Sequence, residues 1–363
     1  MPETEILRSV HTRSVVEILD QLGCSILVTT YQSGHLVMLR PDADVLNTHF
    51  RIFKKPMGLA IDHAAGGDRL AIGTETAVSE FYNLPAVASS LDPPGDNDAV
   101  YMPRLSHTTG NIQIHEMAYV GKGDDRDVVF INTAFSCLCR RSDVHSFAPI
   151  WRPSFIAQFE PGDSCHINGM AVKDDMIAYV TALGETNQPG QWRENKKDGG
   201  IVIDIATGQP IIRGLSMPHS PRWYAGRWWL LESGMGSFGT FDPIAGTYTS
   251  IVQLPGFTRG LSFAGPFAFI GLSQVRESAV FGGVPIAERT LEERNCGVWV
   301  VNIESGTVVG FVRFEDAVQE IFSVEVLPNK RRPDLVNDNQ DVIGSTFDLS
   351  QSALLDVPQE MRS

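Results

Sequence analysis

A short sequence pattern recurs six times along the chain, and it limits the folds that the chain can adopt. In each copy a small or polar residue stands among alternating apolar positions, and in most copies a turn and a second apolar strand follow. The copies read Pro56-Met-Gly-Leu-Ala-Ile, Ile114-His-Glu-Met-Ala-Tyr, Ile167-Asn-Gly-Met-Ala-Val, Pro221-Arg-Trp-Tyr, Thr258-Arg-Gly-Leu-Ser-Phe and Phe322-Ser-Val-Glu-Val. Aligned on Gly58, Glu116, Gly169, Arg222, Gly260 and Ser323, they lie about 53 residues apart on average, somewhat above the roughly 40 to 50 residues of a propeller blade.

Within each copy the apolar positions alternate with a period of two. This period is typical of antiparallel strands, and Gly, Asp and Pro interrupt the runs as expected for turns. Six such units that close on themselves form a β-propeller, which leaves only short protected strand edges. The sequence therefore predicts an all-β fold, a six-bladed β-propeller of four-stranded blades over residues 24–335. Ser25–Thr30 and His35–Leu39 precede the first copy, and we expect them to join the last blade and close the ring.

The two ends of the chain differ from the repeats. Apolar residues along Glu5–Leu22 form one face of a helix that would end at Gly23, so residues 1–23 are predicted to carry a short N-terminal helix outside the ring. Residues 336–363 are polar and acidic, and we expect a tail that is partly disordered.

Charge and composition narrow the classes of partner. The chain has 29 Lys and Arg against 43 Asp and Glu, a formal charge of −14, and such a surface repels nucleic-acid phosphates. No run approaches 18 apolar residues, and the acidic amino end lacks a leader, so neither a membrane span nor a secreted protein is expected. The five cysteines lack the spacing of a zinc finger. We therefore expect a cytoplasmic protein that binds neither nucleic acid nor membrane.

The register of the repeats predicts which side chains meet at the axis. Side chains one and three residues before each aligned position share one strand face, because side chains alternate along a strand. Three of the nine histidines occupy such positions in consecutive blades, and the other three blades supply charged groups. The histidines are His115, His166 and His219, and the charged groups are Lys55, Arg259 and Glu320.

Three converging imidazoles are a known way to hold a catalytic metal, so we expect a divalent first-row transition metal, Zn, Fe, Mn or Cu, at His115, His166 and His219. Glu320 would be a further ligand, a partner of an imidazole or a general base. Lys55 and Arg259 would hold an anionic substrate group.

Four further residues are predicted to contact the substrate. They are Asn168 and Arg222 on the innermost strands, and Trp192 and Arg193 on a long polar loop that would cover the same mouth. The predicted function is a metal-dependent enzyme, a hydrolase or lyase, that acts on a small anionic molecule or a modified peptide.

Other interpretations remain open at this stage. The polar channel could be structural, in a non-catalytic propeller that binds a ligand or another protein, with water bridging the strand ends. A propeller hydrolase of sugars or lactones is a third possibility, but it would use carboxylate and Asn ligands, and here histidines outnumber the acids. A slip of one residue in the fourth repeat would also turn His219 to the opposite face.

Several motifs are similar to those of one known family. They include Thr29-Thr-Tyr-Gln-Ser-Gly-His-Leu, Ala182-Leu-Gly-Glu-Thr-Asn, Ser216-Met-Pro-His-Ser-Pro-Arg-Trp and Pro255-Gly-Phe-Thr-Arg-Gly-Leu. The chain resembles, over roughly residues 20 to 335, a conserved bacterial family of unknown function, some members of which accompany tetratricopeptide repeats. The resemblance implies no activity and assigns no catalytic residue.

Overall fold

The structure, a computed structural model, describes residues 8–91, 94–275, 282–315, 317–359 and 362. Strands dominate it. In chain order they are β1 (Ser9–His11), β2 (Ser25–Thr30), β3 (His35–Asp42), β4 (Val45–Ile52), β5 (Leu59–Ile61), β6 (Arg69–Gly73), β7 (Ala77–Asn83), β8 (Ala99–Thr108), β9 (Ile114–Val120), β10 (Asp127–Asn132), β11 (Cys137–Arg140), β12 (Ala148–Trp151), β13 (Ile167–Lys173), β14 (Met176–Ala182), β15 (Gly200–Asp204), β16 (Pro210–Leu215), β17 (Pro218–Tyr224), β18 (Arg227–Glu232), β19 (Ser237–Asp242), β20 (Thr247–Gln253), β21 (Phe257–Ala264), β22 (Phe267–Ser273), β23 (Gly297–Asn302), β24 (Thr307–Phe314), β25 (Ser323–Leu327) and β26 (Pro333–Leu335).

Helices are short and few in the described ranges. The α-helices are α1 (Arg13–Leu22), α2 (Gln340–Ser345) and α3 (Gln351–Leu354), and the 3-10 turns are His63–Ala65, Pro85–Ser90, Gly123–Asp125, Gln191–Asn195, Ser233–Met235 and Pro285–Glu288. None of these helices is long and apolar enough to cross a membrane.

The strands form six sheets, and each sheet is one blade of the predicted six-bladed propeller. Blade 1 has the order β25-β2-β3-β4, blade 2 β5-β6-β7-β8-β26, blade 3 β9-β10-β11-β12, blade 4 β13-β14-β15-β16, blade 5 β17-β18-β19-β20 and blade 6 β21-β22-β23-β24-β1. The innermost strands β5, β9, β13, β17, β21 and β25 contact one another in that order, and β25 contacts β5 in turn. The ring is therefore closed, and its innermost strands surround the axis.

Blade 1 closes the ring with strands from both ends of the chain. β2 pairs antiparallel with β25, from Ser25 opposite Leu327 to Thr29 opposite Ser323. Thus the segments before the first repeat do join the last repeat, as the sequence predicted. Two blades differ from the predicted four strands, because β1 adds to the edge of blade 6 and β26 adds in parallel to the edge of blade 2.

The N-terminal helix is shorter than predicted. It begins at Arg13, and the predicted start at Glu5 lies outside the described residues. Ser9–His11 instead continues blade 6, where the backbone of an edge strand gains hydrogen-bond partners that it would lack alone. The helix does end at Gly23, which takes the left-handed conformation at φ 64°. Its backbone N–H donates to carbonyl oxygens in the last turn of the helix. The tail that we expected to be partly disordered carries α2 and α3, and Val342 of α2 packs under blade 2.

Apolar clusters fill the spaces between neighbouring blades. Between blades 3 and 4, for example, Val129 and Ile131 face Ile167, Val180 and Ile203, and all five are fully buried. Face-to-face packing of this kind is the main source of stability in stacked sheets.

Side-chain hydroxyls join the blades at the end where the innermost strands begin. Thr133, just after the second strand of blade 3, donates to the backbone carbonyl of Ile167 in blade 4 at 2.7 Å. Ser233 donates in the same way from blade 5 to Thr258 of blade 6 at 2.5 Å, and Ser273 from blade 6 to Ile321 at 3.2 Å. These bonds fix the strand ends that carry the histidines.

Helix α1 packs across the junction of blades 6 and 1, so we expect its apolar face to stabilise the closed ring. Leu19 is fully buried among side chains of both blades, including Val37 and Val300. Leu19→Ala should lower the free energy of unfolding by about 2–5 kcal/mol, because it leaves a cavity in a packed core. Urea denaturation of the variant against Glu17→Ala, whose side chain is 64% exposed on the same helix, measures this. Equal midpoints for the two variants would show that the helix does not hold the junction.

Candidate functional site

The three predicted histidines gather at one end of the channel, which we call the histidine mouth. His115 and His219 are the second residues of the innermost strands β9 and β17, and His166 immediately precedes β13. The rings of His115 and His166 meet edge to face, with centroids 4.7 Å apart. The six innermost strands run in the same direction, so residues at their starts lie at the same mouth.

Backbone and hydroxyl groups fix the tautomer of His115. Its Nδ1 lies 3.0 Å from the carbonyl oxygen of Gln113 and 2.8 Å from Oγ1 of Thr133. A carbonyl oxygen only accepts, and the Thr133 hydroxyl already donates to Ile167, so Nδ1 must carry the proton. The neutral ring therefore has its lone pair on Nε2.

His219 repeats this arrangement in blade 5. Its Nδ1 lies 3.0 Å from the carbonyl of Met217 and 2.9 Å from Oγ of Ser233, which itself donates to Thr258. Gln113 and Met217, each two residues before the histidine, share the left-handed backbone, at φ 55° and 49°. Thus His219 is the equivalent of His115.

This equivalence corrects the predicted register of the fourth repeat by two residues. The sequence alignment placed Pro221 opposite His115, whereas the structure places His219 there. A bulge after His219, where Ser220 takes a left-handed backbone at φ 50°, matches the bulges in β9, β13 and β21, so Ser220 rather than Arg222 is the equivalent of Glu116, Gly169 and Gly260. A shift of two residues keeps the side chain on the same strand face, so His219 still points to the predicted side.

Asp163 holds the third histidine and was not predicted from the sequence. Its Oδ2 accepts from Nδ1 of His166 at 2.9 Å, from Nε1 of Trp192 at 3.0 Å and from Nη2 of Arg193 at 3.3 Å. His166 therefore also carries its proton on Nδ1. The available signal was the Asp-x-x-His spacing in the loop before the third repeat, which lies outside the strand pattern that we aligned.

Trp192 and Arg193 lie beside the histidine mouth, where the sequence placed them. The rings of Trp192 and His166 are 4.4 Å apart, and the Arg193 guanidinium stacks on the indole at 4.3 Å. Trp192 is only 2% exposed and packs with Met217 and Phe257. The indole is thus a fixed part of the wall, while Arg193 is the half-exposed group above it.

A buried guanidinium faces the imidazoles. Arg259 lies on β21 just before the bulge at Gly260, and its Cζ sits 3.5 Å from the centroid of Phe322, whose ring also contacts His115. Its ion pair with Glu320 is 3.6 Å long, which exceeds a direct hydrogen bond. In the described part of the chain, the Arg259 N–H groups make no shorter contact, so they are available to a ligand.

Burial and mutual repulsion set the charges at this mouth. The pKa values of His115 and His219 lie well below the ordinary value, because burial disfavours the imidazolium and Arg259 repels it. Burial also lowers the pKa of Arg259 to about 10, which leaves it charged at neutral pH. The pKa of Glu320 is raised by burial. The mouth therefore combines the neutral imidazoles of His115 and His219 with the Arg259–Glu320 ion pair.

The metal at the three histidines stays a prediction. Among the described residues, no three His, Cys, Asp or Glu side chains are grouped so that they could hold one metal ion. Each histidine holds Nδ1 in a hydrogen bond, which leaves the Nε2 position that metal ligands use.

Three other predicted site residues lie apart from this cluster or have other partners. Lys55 is half exposed at the rim and pairs with Glu75 at 2.5 Å, and this contact raises its pKa. Asn168 is buried and uses both ends of its amide within the fold, donating to Pro218 and accepting from Thr181.

Arg222 lies toward the opposite end of the channel, where the innermost strands end. Its Nη2 contacts Glu116 at 2.5 Å and Glu325 at 3.3 Å, and all three side chains are largely buried. The sequence did not predict this triad, because Glu116, Arg222 and Glu325 come from three separate blades. Burial, together with repulsion from Glu116, raises the pKa of Glu325 to about 7 in spite of Arg222.

The raised pKa of Glu325 predicts how stability depends on pH. The unfolded chain releases this proton near the ordinary pKa of 4.5 and the folded chain near 7, so folding stability falls as pH rises between these values. The total loss is on the order of 3 kcal/mol. Glu325→Gln removes it, so the variant should gain stability relative to the parent protein between pH 5 and pH 8. Urea denaturation across this range, with exposed Glu304→Gln as control, measures the gain; parallel curves for parent and Glu325→Gln would contradict it.

Comparison with known proteins gives the fold and the family. A chain from a crystal structure of a nidogen/laminin complex is 7% identical with a TM-score of 0.53, and the match covers 84% of this chain and 99% of that chain. A protein of unknown function from Bacteroides caccae is 10% identical with a TM-score of 0.51, covering 84% and 98%. Likenesses at such identity show the propeller fold alone. No curated protein matches the chain.

One family model matches residues 13–336, from the start of α1 to the residue after β26. This range contains every strand of the ring except β1, and every residue of the histidine mouth. The chain belongs to the family described as Domain of unknown function (DUF4915).

Proposed function

We propose that the histidine mouth binds a small carboxylate that also carries a hydroxyl or N–H group. The observation that carries the proposal is the pairing of a buried, charged Arg259 with imidazoles that are neutral and have their Nε2 lone pairs free. A guanidinium binds a carboxylate through two parallel hydrogen bonds. Neutral imidazole accepts a hydrogen bond from the neighbouring donor of the same ligand.

The surrounding side chains favour binding in a low-dielectric site. Phe322 and Trp192 line the mouth, and the histidines are largely buried. Electrostatic attraction between Arg259 and an anion is stronger here than at the surface. Asp163 anchors His166, Trp192 and Arg193 together, so the binding surface is pre-ordered and loses little entropy on binding.

Arg259→Gln tests the anion contact. We expect lactate to bind the parent protein about 10- to 100-fold more tightly than this variant, because a charge-assisted hydrogen bond contributes about 1.5–3 kcal/mol. Isothermal titration calorimetry measures the constants, and exposed Arg227→Gln is the matched control. Unchanged affinity in Arg259→Gln would contradict the proposal.

The hydroxyl contact has its own readout in the same titrations. Lactate and propionate differ by one hydroxyl, and we expect lactate to bind the parent about threefold to tenfold more tightly. His219→Leu should remove this preference while keeping the affinity for propionate. A preference that survives in both His219→Leu and His115→Leu would place the hydroxyl elsewhere.

A metal-dependent hydrolase or lyase acting on such an anion is the second candidate. The observation in its favour is that all three histidines hold Nδ1 in a hydrogen bond, as ligating histidines do. Elemental analysis of the purified protein separates the candidates. One equivalent of a first-row metal that is lost in His166→Ala would favour the metal enzyme. Metal-free protein that binds lactate would favour a histidine mouth that binds carboxylates.

A further inference from the structure

A cavity opens at the end of the channel opposite the histidine mouth. We call this cavity the carboxylate mouth. It has a volume of about 580 Å³, within the range of small-molecule sites. Its walls include the apolar and aromatic side chains of Met117 and Met170, midway along their innermost strands, and of Trp223 and Phe263, near the ends of theirs. The walls alone would suit a ligand whose apolar part is one ring or a short alkyl chain.

At the floor of this cavity the Arg222 guanidinium lies between two carboxylates, of which Glu325 lines the cavity and Glu116 does not. Arg222 contacts both Glu116 and Glu325, and the remaining oxygens accept from the backbone N–H of Met170 and from the Ser262 hydroxyl. With both carboxylates ionised, the floor has one negative charge in excess. Burial and, to a lesser extent, repulsion from Glu116 raise the pKa of Glu325 in this setting.

The rim and the wall of the cavity also carry groups that attract a cation. Asp174 and Asp175 lie at the edge of the cavity, and Asp175 is paired with Arg126 at 2.8 Å. One cation already lies against the wall, because Nζ of Lys173 sits 4.2 Å from the centroid of Trp223. The electron-rich face of an indole attracts ammonium groups in this way.

We propose that the carboxylate mouth binds a small organic cation, an amine with an apolar body. The ammonium group pairs with Glu325 at the floor. It supplies a second positive charge, so that the two carboxylates of Glu116 and Glu325 are no longer balanced by Arg222 alone. The apolar body lies between Trp223 and Phe263. This site is separate from the histidine mouth and takes a ligand of the opposite charge.

Three probes with one ring and different charge test the site: 2-phenylethylammonium, 2-phenylethanol and 3-phenylpropionate. By calorimetry we expect the ammonium to bind at least tenfold more tightly than the alcohol, and the carboxylate to bind least. Glu325→Gln should weaken ammonium binding about tenfold, while exposed Glu304→Gln leaves it unchanged. Trp223→Leu changes the wall and keeps the buried triad. This variant should bind the ammonium probe severalfold more weakly, and it should lose any change in fluorescence that Trp223 gives on binding.

Equal affinity for all three probes would show an apolar cavity without charge preference and overturn the proposal. Unchanged ammonium affinity in Glu325→Gln and Trp223→Leu, or no binding of the ammonium probe at millimolar concentration, would also overturn it. Lactate binding at the histidine mouth, measured in the same variants, is independent of these results.

Discussion

The pairing of β2 with β25 is the interaction on which the rest of the structure depends. It joins the two ends of the ring within one sheet, so no blade is left with an open face. In the closed ring the innermost strands contact one another around the axis, and the starts of β9 and β13 lie together at one mouth. Residues far apart in the sequence, such as His115 and Arg259, therefore meet at the mouth where these strands begin.

Closure also gives the two mouths different chemistry. At the histidine mouth, burial and repulsion by Arg259 keep His115 and His219 neutral, and these rings lie beside the Arg259–Glu320 ion pair. At the carboxylate mouth, Glu116 and Glu325 outnumber Arg222, so the excess charge is negative.

The sequence predicted the fold well and the site in part. The period-two pattern and the six copies determine the blades, because strand alternation is a local property that leaves a signal in the sequence. The register of the fourth repeat was wrong by two residues, because Ser220 stands at the shared bulge where two other copies have Gly169 and Gly260. Asp163 and the Glu116–Arg222–Glu325 triad were missed because their contacts join separate blades or loops. Arg222 was assigned to the wrong mouth for the same reason.

The tautomers of His115 and His219 are central to this account, and nitrogen NMR of ¹⁵N-histidine protein measures them directly. Single substitutions of each residue would assign the signals. The structure predicts that both rings are neutral at about pH 6, where exposed histidine is largely protonated, with the proton on Nδ1 and a bare Nε2. Rings that are charged at that pH, or that carry the proton on Nε2, would contradict the account.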